Sequence, residues 1–257
     1  AQAAKPPAPL STMPSGAGPQ PDLKSCASPE VHAETGAAAV PAANIPSSLR
    51  ATLAYAKESL ASPDARTSAY QNLLDGLATW GFLEELPLDT SGTLHVSLPF
   101  CSQFREAPVL LPFLHERLLV PGLAGEISLV GCDVRREAFW WPAWRAWAEH
   151  SFGARLRLDL WQQDLSTGHL PQAGLILAMH PHVLEDETLW LDIVRNVLHC
   201  RAPGGRCVFA TMFPSEVEII ERMLNSLDVP YEIKENPGAL SGQRLNTYLR
   251  FAIVVSG

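Results

Sequence analysis

The chain has 257 residues, of which 47% are hydrophobic and 18% are charged, and its formal net charge is −8. This length and composition allow one globular core with extensions, while the acidic balance disfavours nucleic acid as a partner. No apolar run approaches the roughly 18 residues that a membrane-spanning helix needs. We therefore expect no transmembrane segment, although docking on a membrane complex stays compatible with the sequence.

The cysteines indicate a reducing environment. There are five of them, and none forms a C-x-x-C pair, so we expect free thiols in an intracellular reducing compartment rather than a disulfide scaffold. The chain begins with Ala1 rather than Met, which indicates either an artificial boundary or the removal of a targeting segment. In the second case the expected location is an organelle of unknown kind.

Residues 1–46 are rich in Ala, Pro, Ser and Gly, and no aromatic residue precedes Tyr55. Such a segment buries too little apolar surface to offset the entropy lost on ordering. We therefore predict an extended tail that becomes ordered only against another surface. A partner protein is the expected surface, and the chain's own domain is the alternative.

Residues 47–90 predict a helical extension. Ser47 or Ser48 can cap a first helix after Pro46, and Ser62-Pro63-Asp64 ends it. A second helix is indicated by apolar residues that recur at helical spacing. Those residues are Tyr70, Leu73, Leu74, Leu77 and Trp80.

Residues 91–257 alternate strand and helix, which predicts one α/β domain with a mostly parallel, doubly wound sheet. The predicted strands are Thr93–Leu98, Ile127–Asp133, Arg155–Trp161, Gly174–Met179, Arg206–Met212, Tyr231–Lys234 and Asn246–Val255. The predicted helices are Val109–Leu119, Glu137–Ser151, Glu187–His199 and Ser215–Leu227. The link between the last two strands is too short for a helical crossover, so we expect a terminal antiparallel pair.

This order resembles the class I S-adenosylmethionine-dependent methyltransferase superfamily over about residues 90–257. Its most specific anchor is Pro203-Gly204-Gly205, which is similar to the family's turn between the fourth helix of the domain and its fifth strand. There we expect Pro203 to stop the helix and the glycines to supply positive φ. The resemblance implies a Rossmann-like fold and, if the family's activity is retained, S-adenosylmethionine as cofactor.

The resemblance also implies cofactor-binding positions. Asp133, at the end of the second strand, stands where the family has an acidic residue that accepts hydrogen bonds from the ribose hydroxyls. The alternative is a cap for the following helix. Asp164 matches an acidic residue that contacts the adenine amine, with an ordinary exposed loop as its alternative. If a cofactor binds, Ser97 and the backbone of Ser97–Ser102 are expected to contribute.

The first strand departs from the family pattern of an acidic residue followed by a G-x-G turn. His95 stands at the acidic position, and Ser97 and Pro99 stand where glycines belong. Pro99 has no N–H to offer, and Phe100 is expected to occupy space that a cofactor needs. The primary prediction is therefore that no cofactor binds, and S-adenosylmethionine is the alternative.

Three further side chains are candidates for a catalytic or metal-binding role. His180 and His182 follow the fourth strand and suit a general base or a pair of metal ligands, but no cysteine or carboxylate pattern completes a metal site. Cys101 is expected to be a buried thiol rather than a nucleophile. We therefore assign no catalytic residue and no metal ligand, and keep His180 or His182 as a proton acceptor only for an active enzyme.

The helix predicted over Glu137–Ser151 carries four tryptophans. Trp140, Trp144 and Trp147 share one face and are expected to pack against the sheet, while Trp141 points elsewhere. An exposed aromatic patch that marks an interface is the alternative interpretation.

These observations support three hypotheses. The first is a non-catalytic, methyltransferase-like scaffold or accessory subunit of a larger protein complex, anchored partly by its N-terminal tail. The second is an active S-adenosylmethionine-dependent methyltransferase with an atypical cofactor loop. The third is a cofactor-free module that binds a small ligand or peptide beyond the strand ends, where open α/β sheets hold their ligands.

Overall fold

A computed structural model of the chain describes residues 47–236 and 248–256. The predicted tail, residues 1–46, lies outside the described residues, and so do residues 246–247 at the start of the last predicted strand. Among the described helices, none has the length and apolar character required to cross a membrane.

The described elements alternate as the sequence predicts. The strands are β1 (Thr93–Pro99), β2 (Glu126–Asp133), β3 (Leu156–Gln162), β4 (Ala173–Met179), β5 (Arg201–Thr211), β6 (Glu232–Glu235) and β7 (Phe251–Val255). The α-helices are α1 (Ser47–Ala61), α2 (Ala65–Thr79), α3 (Ala107–Leu114), α4 (Trp140–Phe152), α5 (Glu187–His199) and α6 (Pro214–Ser226). A π-helical turn (His115–Leu119) continues α3, and a 3₁₀ turn (Gly153–Arg155) follows α4.

The seven strands form one sheet in the order β3-β2-β1-β4-β5-β7-β6. Strands β1 to β5 are parallel, and β7 pairs antiparallel with both β5 and β6. Every residue of β4 is buried, as expected for a central parallel strand covered by helices on both faces. The predicted α/β architecture with its terminal antiparallel pair is therefore confirmed.

Local chemistry explains where several helices begin. The Asp64 carboxylate accepts a hydrogen bond from the Thr67 N–H at 2.7 Å and caps α2. Asp186 caps α5 in the same way through the Leu189 N–H at 3.0 Å. At the start of α6 the Glu216 carboxylate accepts the N–H groups of Met212 and Phe213.

The Pro-Gly-Gly anchor has a different role from the one predicted. Helix α5 ends at His199, well before Pro203, so the proline does not stop it. The tripeptide lies inside β5, where the pairing with β4 shifts register. Gly204 has φ +73°, and a Cβ on Gly205 would lie only 2.8 Å from the Ala202 carbonyl oxygen. These glycines therefore form an irregularity within a strand.

Helices α1 and α2 pack on one face of the domain, where α1 contacts α4 and α2 contacts α3. The apolar side chains of β1 (Leu94, Val96 and Leu98) belong to this core. Helices α5 and α6 cover a second buried cluster that includes the Phe209 ring. The edge strands β3 and β6 have more exposed residues, as strands with one free side usually do.

The tryptophans of α4 are mostly core residues. Trp141, Trp144 and Trp147 are buried, and Trp140 is half-buried between Phe139 and Tyr55. Of the alternative, an exposed aromatic patch, the structure shows only Phe139 exposed beside the half-buried Trp140. Trp141 is buried although it lies off the shared face, because its indole turns toward the loop after β1.

Candidate functional site

A cleft of about 670 Å³ opens at the carboxyl ends of the central strands. Its walls come from the loops after β1, β2, β4 and β5, and from α2. Such a volume lies in the range of small-molecule sites, roughly 300–1,000 Å³. Its lining side chains include Arg66, Tyr70, Phe100, Asp133, His180 and Tyr248.

The loop after β1 takes up left-handed backbone conformations without any glycine. Phe100, Ser102 and Phe104 have φ values of +65°, +45° and +53°. Left-handed backbone is unfavourable for side chains other than glycine. Such a conformation persists only where the surroundings hold it.

Two neighbouring elements hold this loop in place. The indole N–H of Trp141 donates to the Ser102 carbonyl at 2.7 Å, and that of Trp144 donates to the Gln103 carbonyl at 3.0 Å. The Asp133 carboxylate accepts the Ser102 N–H at 2.9 Å, and the Cys101 N–H donates to the Cys132 carbonyl at 2.9 Å. The left-handed loop is therefore fixed by α4 and by the end of β2.

The left-handed loop lies after the residues that were predicted to replace the glycines of the family motif. Ser97 and Pro99 lie inside β1, whereas left-handed backbone begins at Phe100 and recurs at Ser102. The positions predicted for the two glycines, Ser97 and Pro99, therefore lie within the strand, and left-handed backbone occurs three residues further along, at Phe100 and Ser102. The expectation that Phe100 closes the site is wrong, because its ring packs against Trp190 at 5.0 Å between centroids and the cleft beside it remains open.

The three predicted cofactor residues have different positions. Asp133 lines the cleft, and α4 begins only at Trp140, so Asp133 is not the cap of that helix. Among the described residues that line the cleft, neither Asp164 nor Ser97 occurs. Asp164 is exposed in the loop after β3, where the Ser166 hydroxyl and N–H lower the pKa of its carboxyl group. Ser97 is buried within β1, and its hydroxyl has no partner among the described residues.

His180 lies at the end of β4 with φ +55°. Burial, and secondarily the charge of Arg66, lowers the pKa of its imidazole to about 4, so the ring is neutral near pH 7. Its Nε2 atom is buried and has no hydrogen-bond partner in the described part of the chain. His182 lies at the rim and is exposed.

Cys101 and the metal-binding side chains of the described residues were the other candidates for a reactive group. Cys101 is 7% exposed, and burial raises its pKa well above the ordinary thiol value. A buried neutral thiol is a poor nucleophile. Within residues 47–236 and 248–256, no group of three or more His, Cys, Asp or Glu side chains is placed to hold a metal ion.

Sequence reasoning missed the side of the cleft that α2 supplies. Arg66 pairs with Glu106, which precedes α3, and its guanidinium lies 5.2 Å from the centre of the Tyr248 ring. Tyr70 is 1% exposed, and its hydroxyl has no partner among the described residues. A signal was present, because Arg66 and Tyr70 are four residues apart and share the face of the apolar stripe of α2.

The Asp133 end of the cleft suits an adenosyl group. Each Asp133 oxygen accepts one backbone N–H, from Ser102 at 2.9 Å and from Arg135 at 3.1 Å. A carboxylate has about four acceptor positions, so both oxygens can still accept ribose hydroxyls. The N–H groups of Cys101, Ser102 and Phe104 already donate within the protein. Side chains, rather than those three N–H groups, would have to hold the rest of such a ligand.

Sequence comparison finds no relative, whereas structural comparison does. No protein-family profile and no curated protein matches the chain. The magnesium protoporphyrin IX methyltransferase of Synechocystis PCC 6803, solved with S-adenosylmethionine, is similar with a TM-score of 0.50 and 10% identity, over 73% of this chain and 78% of that one.

Two other solved structures are similar to the same extent. A candidate O-methyltransferase from Nostoc punctiforme PCC 73102 has a TM-score of 0.51 and 11% identity, over 79% of this chain and 60% of that one. A candidate S-adenosyl-L-methionine-dependent methyltransferase from Methanococcus maripaludis has a TM-score of 0.50 and 12% identity, over 83% and 95%. Together with the strand order, these likenesses establish that the chain has the fold of the class I S-adenosylmethionine-dependent methyltransferases.

Proposed function

We propose that the protein is an S-adenosylmethionine-dependent methyltransferase whose cofactor loop contains no glycine. The observation that carries the proposal is the open cleft of about 670 Å³ at the strand ends, with the Asp133 carboxylate in its wall. A pseudoenzyme closed by Phe100 would lack that space. The methyltransferase fold adds support, although one fold serves many functions.

The residues of the cleft take distinct roles under this proposal. Asp133 binds hydroxyl groups of the adenosyl ligand, while the indoles of α4 keep the loop after β1 in place. When bound, S-adenosylmethionine supplies an electrophilic methyl group. His180, neutral near pH 7, offers Nε2 as a hydrogen-bond partner to the group that receives the methyl. Phe100 and Trp190 form an apolar wall that excludes water.

Calorimetric titration with S-adenosylmethionine tests the proposal. We expect the protein to bind with a Kd on the order of micromolar, and Asp133→Asn to weaken binding by about tenfold or more, as loss of charge-assisted hydrogen bonds predicts. Asn keeps one acceptor oxygen for the loop N–H groups. Asp159→Asn, on the exposed side of β3, is the matched control and should bind as tightly as the unmodified protein.

Absence of S-adenosylmethionine binding by the unmodified protein would overturn the proposal. The first hypothesis, a non-catalytic subunit anchored by its tail, would then be favoured. That hypothesis stays a prediction, because residues 1–46 lie outside the described residues. The cofactor-free binding module also stays a prediction, and it differs from the proposed enzyme in requiring no methyl donor.

A further inference from the structure

The wall of the cleft next to α2 contains buried polar atoms that the protein itself leaves without partners. Among the described residues these include the Tyr70 hydroxyl and His180 Nε2, both on side chains that line the cleft. Buried polar atoms are nearly always paired, and each exception requires an explanation. Because both side chains line the cleft, a ligand bound there is one source of the missing partner.

The charges around these atoms are already balanced. The Arg66 guanidinium pairs with the Glu106 carboxylate. Burial lowers the pKa of Arg66, but the charge and hydrogen bond of Glu106, together with the charges of Tyr248 and Tyr55, outweigh burial and raise that pKa. Burial also raises the pKa of Tyr70 well above its ordinary value, which keeps the phenol neutral. The unpaired atoms of this wall therefore belong to two neutral groups, Tyr70 and His180, and to Arg66, whose Nε has no partner among the described residues although its guanidinium pairs with Glu106.

Aromatic rings surround the same part of the cleft. The Tyr248 ring packs against the His180 ring at 4.3 Å between centroids. Phe100 and Trp190 lie edge to face at 5.0 Å and also line the cleft. Leu177 and Met179 of β4 contribute apolar surface. A flat ring can pack between such groups.

We propose that this wall recognises a hydroxylated aromatic ring, with the hydroxyl bound by Tyr70 and His180 and the ring packed among Phe100, Trp190 and Tyr248. The inference rests on the proposed function for its assignment of that ring to the methyl-accepting substrate.

A neutral hydroxyl fits these partners better than an ionised group. It both donates and accepts, so it satisfies the Tyr70 hydroxyl and also His180 Nε2 in either tautomer. A carboxylate only accepts and would lie near the Glu106 carboxylate. An ammonium group only donates and would lie near the Arg66 guanidinium, while Glu106 is already paired.

Three probes that share one ring system but differ in their polar group distinguish binding of a hydroxyl from binding of a carboxylate or an ammonium group. We would titrate the full chain, without methyl donor, with 2-naphthol, 2-naphthoate and 2-naphthylmethylamine, and follow binding by NMR. We expect 2-naphthol to bind at least about tenfold more tightly than either charged probe. Tyr70→Phe and His180→Asn should each weaken 2-naphthol binding at least about fivefold, because each removes one partner of the hydroxyl.

Both variants are chosen to preserve the fold. Phe keeps the buried ring of Tyr70, and Asn tolerates the left-handed backbone at position 180. Tyr231→Phe and His199→Asn are matched controls. The Tyr231 hydroxyl binds Glu221 at 3.0 Å, and neither residue lines the cleft among the described residues. Both controls should bind 2-naphthol as the unmodified protein does.

Equal or tighter binding of a charged probe, or unchanged 2-naphthol binding by both cleft variants, would overturn the inference. S-adenosylmethionine titrated into the same samples separates the two proposals. If the protein binds the methyl donor but does not prefer 2-naphthol, the inference is wrong and the proposed methyltransferase stands. Preference for 2-naphthol without binding of the donor removes the proposed methyltransferase and leaves an aromatic-binding cleft.

Discussion

Tyr70 and His180 place polar atoms in a buried wall at a cost to the stability of the free protein. The Tyr70 ring is 1% exposed, and no described residue accepts or donates a hydrogen bond at its hydroxyl. A buried hydroxyl that has lost its water without gaining a partner destabilises the native state by roughly 1–3 kcal/mol. Residues kept at such a cost are more readily explained by binding than by folding.

At the residue scale we therefore predict that Tyr70→Phe stabilises the free protein. Removal of the unpaired hydroxyl should raise the free energy of unfolding by about 1 kcal/mol, measured by urea denaturation followed by circular dichroism. Tyr231→Phe, which loses a formed hydrogen bond to Glu221, should not stabilise. A clear loss of stability in Tyr70→Phe would mean that its hydroxyl has a structural partner.

At the scale of elements, the loop after β1 depends on α4. The indole N–H groups of Trp141 and Trp144 bind two consecutive carbonyls of this loop. Three of its residues hold left-handed conformations that cost roughly 1–2 kcal/mol each for L-amino acids. The hydrogen bonds from α4 thus stabilise a left-handed backbone that glycine adopts in other loops without such support.

We predict that Trp141→Phe lowers the free energy of unfolding by about 2–3 kcal/mol. The change leaves the Ser102 carbonyl, part of a half-buried hydrogen bond, without its indole donor and opens a small void beside the loop. Thermal unfolding with hydrogen exchange of the 100–104 amides measures both the loss and its location. Trp161→Phe, at an exposed position on β3, is the control. Equal effects of the two changes would contradict the assigned role of Trp141.

Sequence reasoning succeeded for elements whose pattern is local. Strand β4 is one continuous apolar run because helices cover both of its faces. A run of this kind predicts a buried strand from the sequence alone. The left-handed conformation of the loop after β1 was not predictable in this way, because the loop is held by hydrogen bonds from Trp141 and Trp144, which lie far along the chain. The position of Arg66 in the cleft was missed for the same reason, since it depends on packing between α2, α3 and the residues before β7.

At the scale of the whole molecule, Asn236 joins the helical extension to the end of the sheet. It is fully buried, and its side-chain amide donates to the Ala69 carbonyl in α2 at 2.9 Å and to the Leu249 carbonyl at 3.0 Å. Its own N–H donates to the Arg250 carbonyl at 2.8 Å. This residue therefore fixes the position of α2 relative to the antiparallel strand pair.

We predict that Asn236→Ala lowers the free energy of unfolding by about 2 kcal/mol or more, because it leaves two buried carbonyls without this donor. Chemical denaturation measures the loss. Asn225→Ala, whose long 3.3 Å contact with Tyr231 lies at an exposed position, should change stability little. A similar, small effect of both changes would contradict the joining role of Asn236.

The two ends of the cleft come from different parts of the chain. Asp133 belongs to the central sheet, whereas Arg66 and Tyr70 belong to a helix that precedes it. If the cleft binds as we propose, evolution or protein engineering can therefore diversify α2 and change the bound compound while the opposite wall stays intact. A library restricted to the cleft-facing positions of α2 is accordingly the shortest experimental route to altered selectivity in this scaffold.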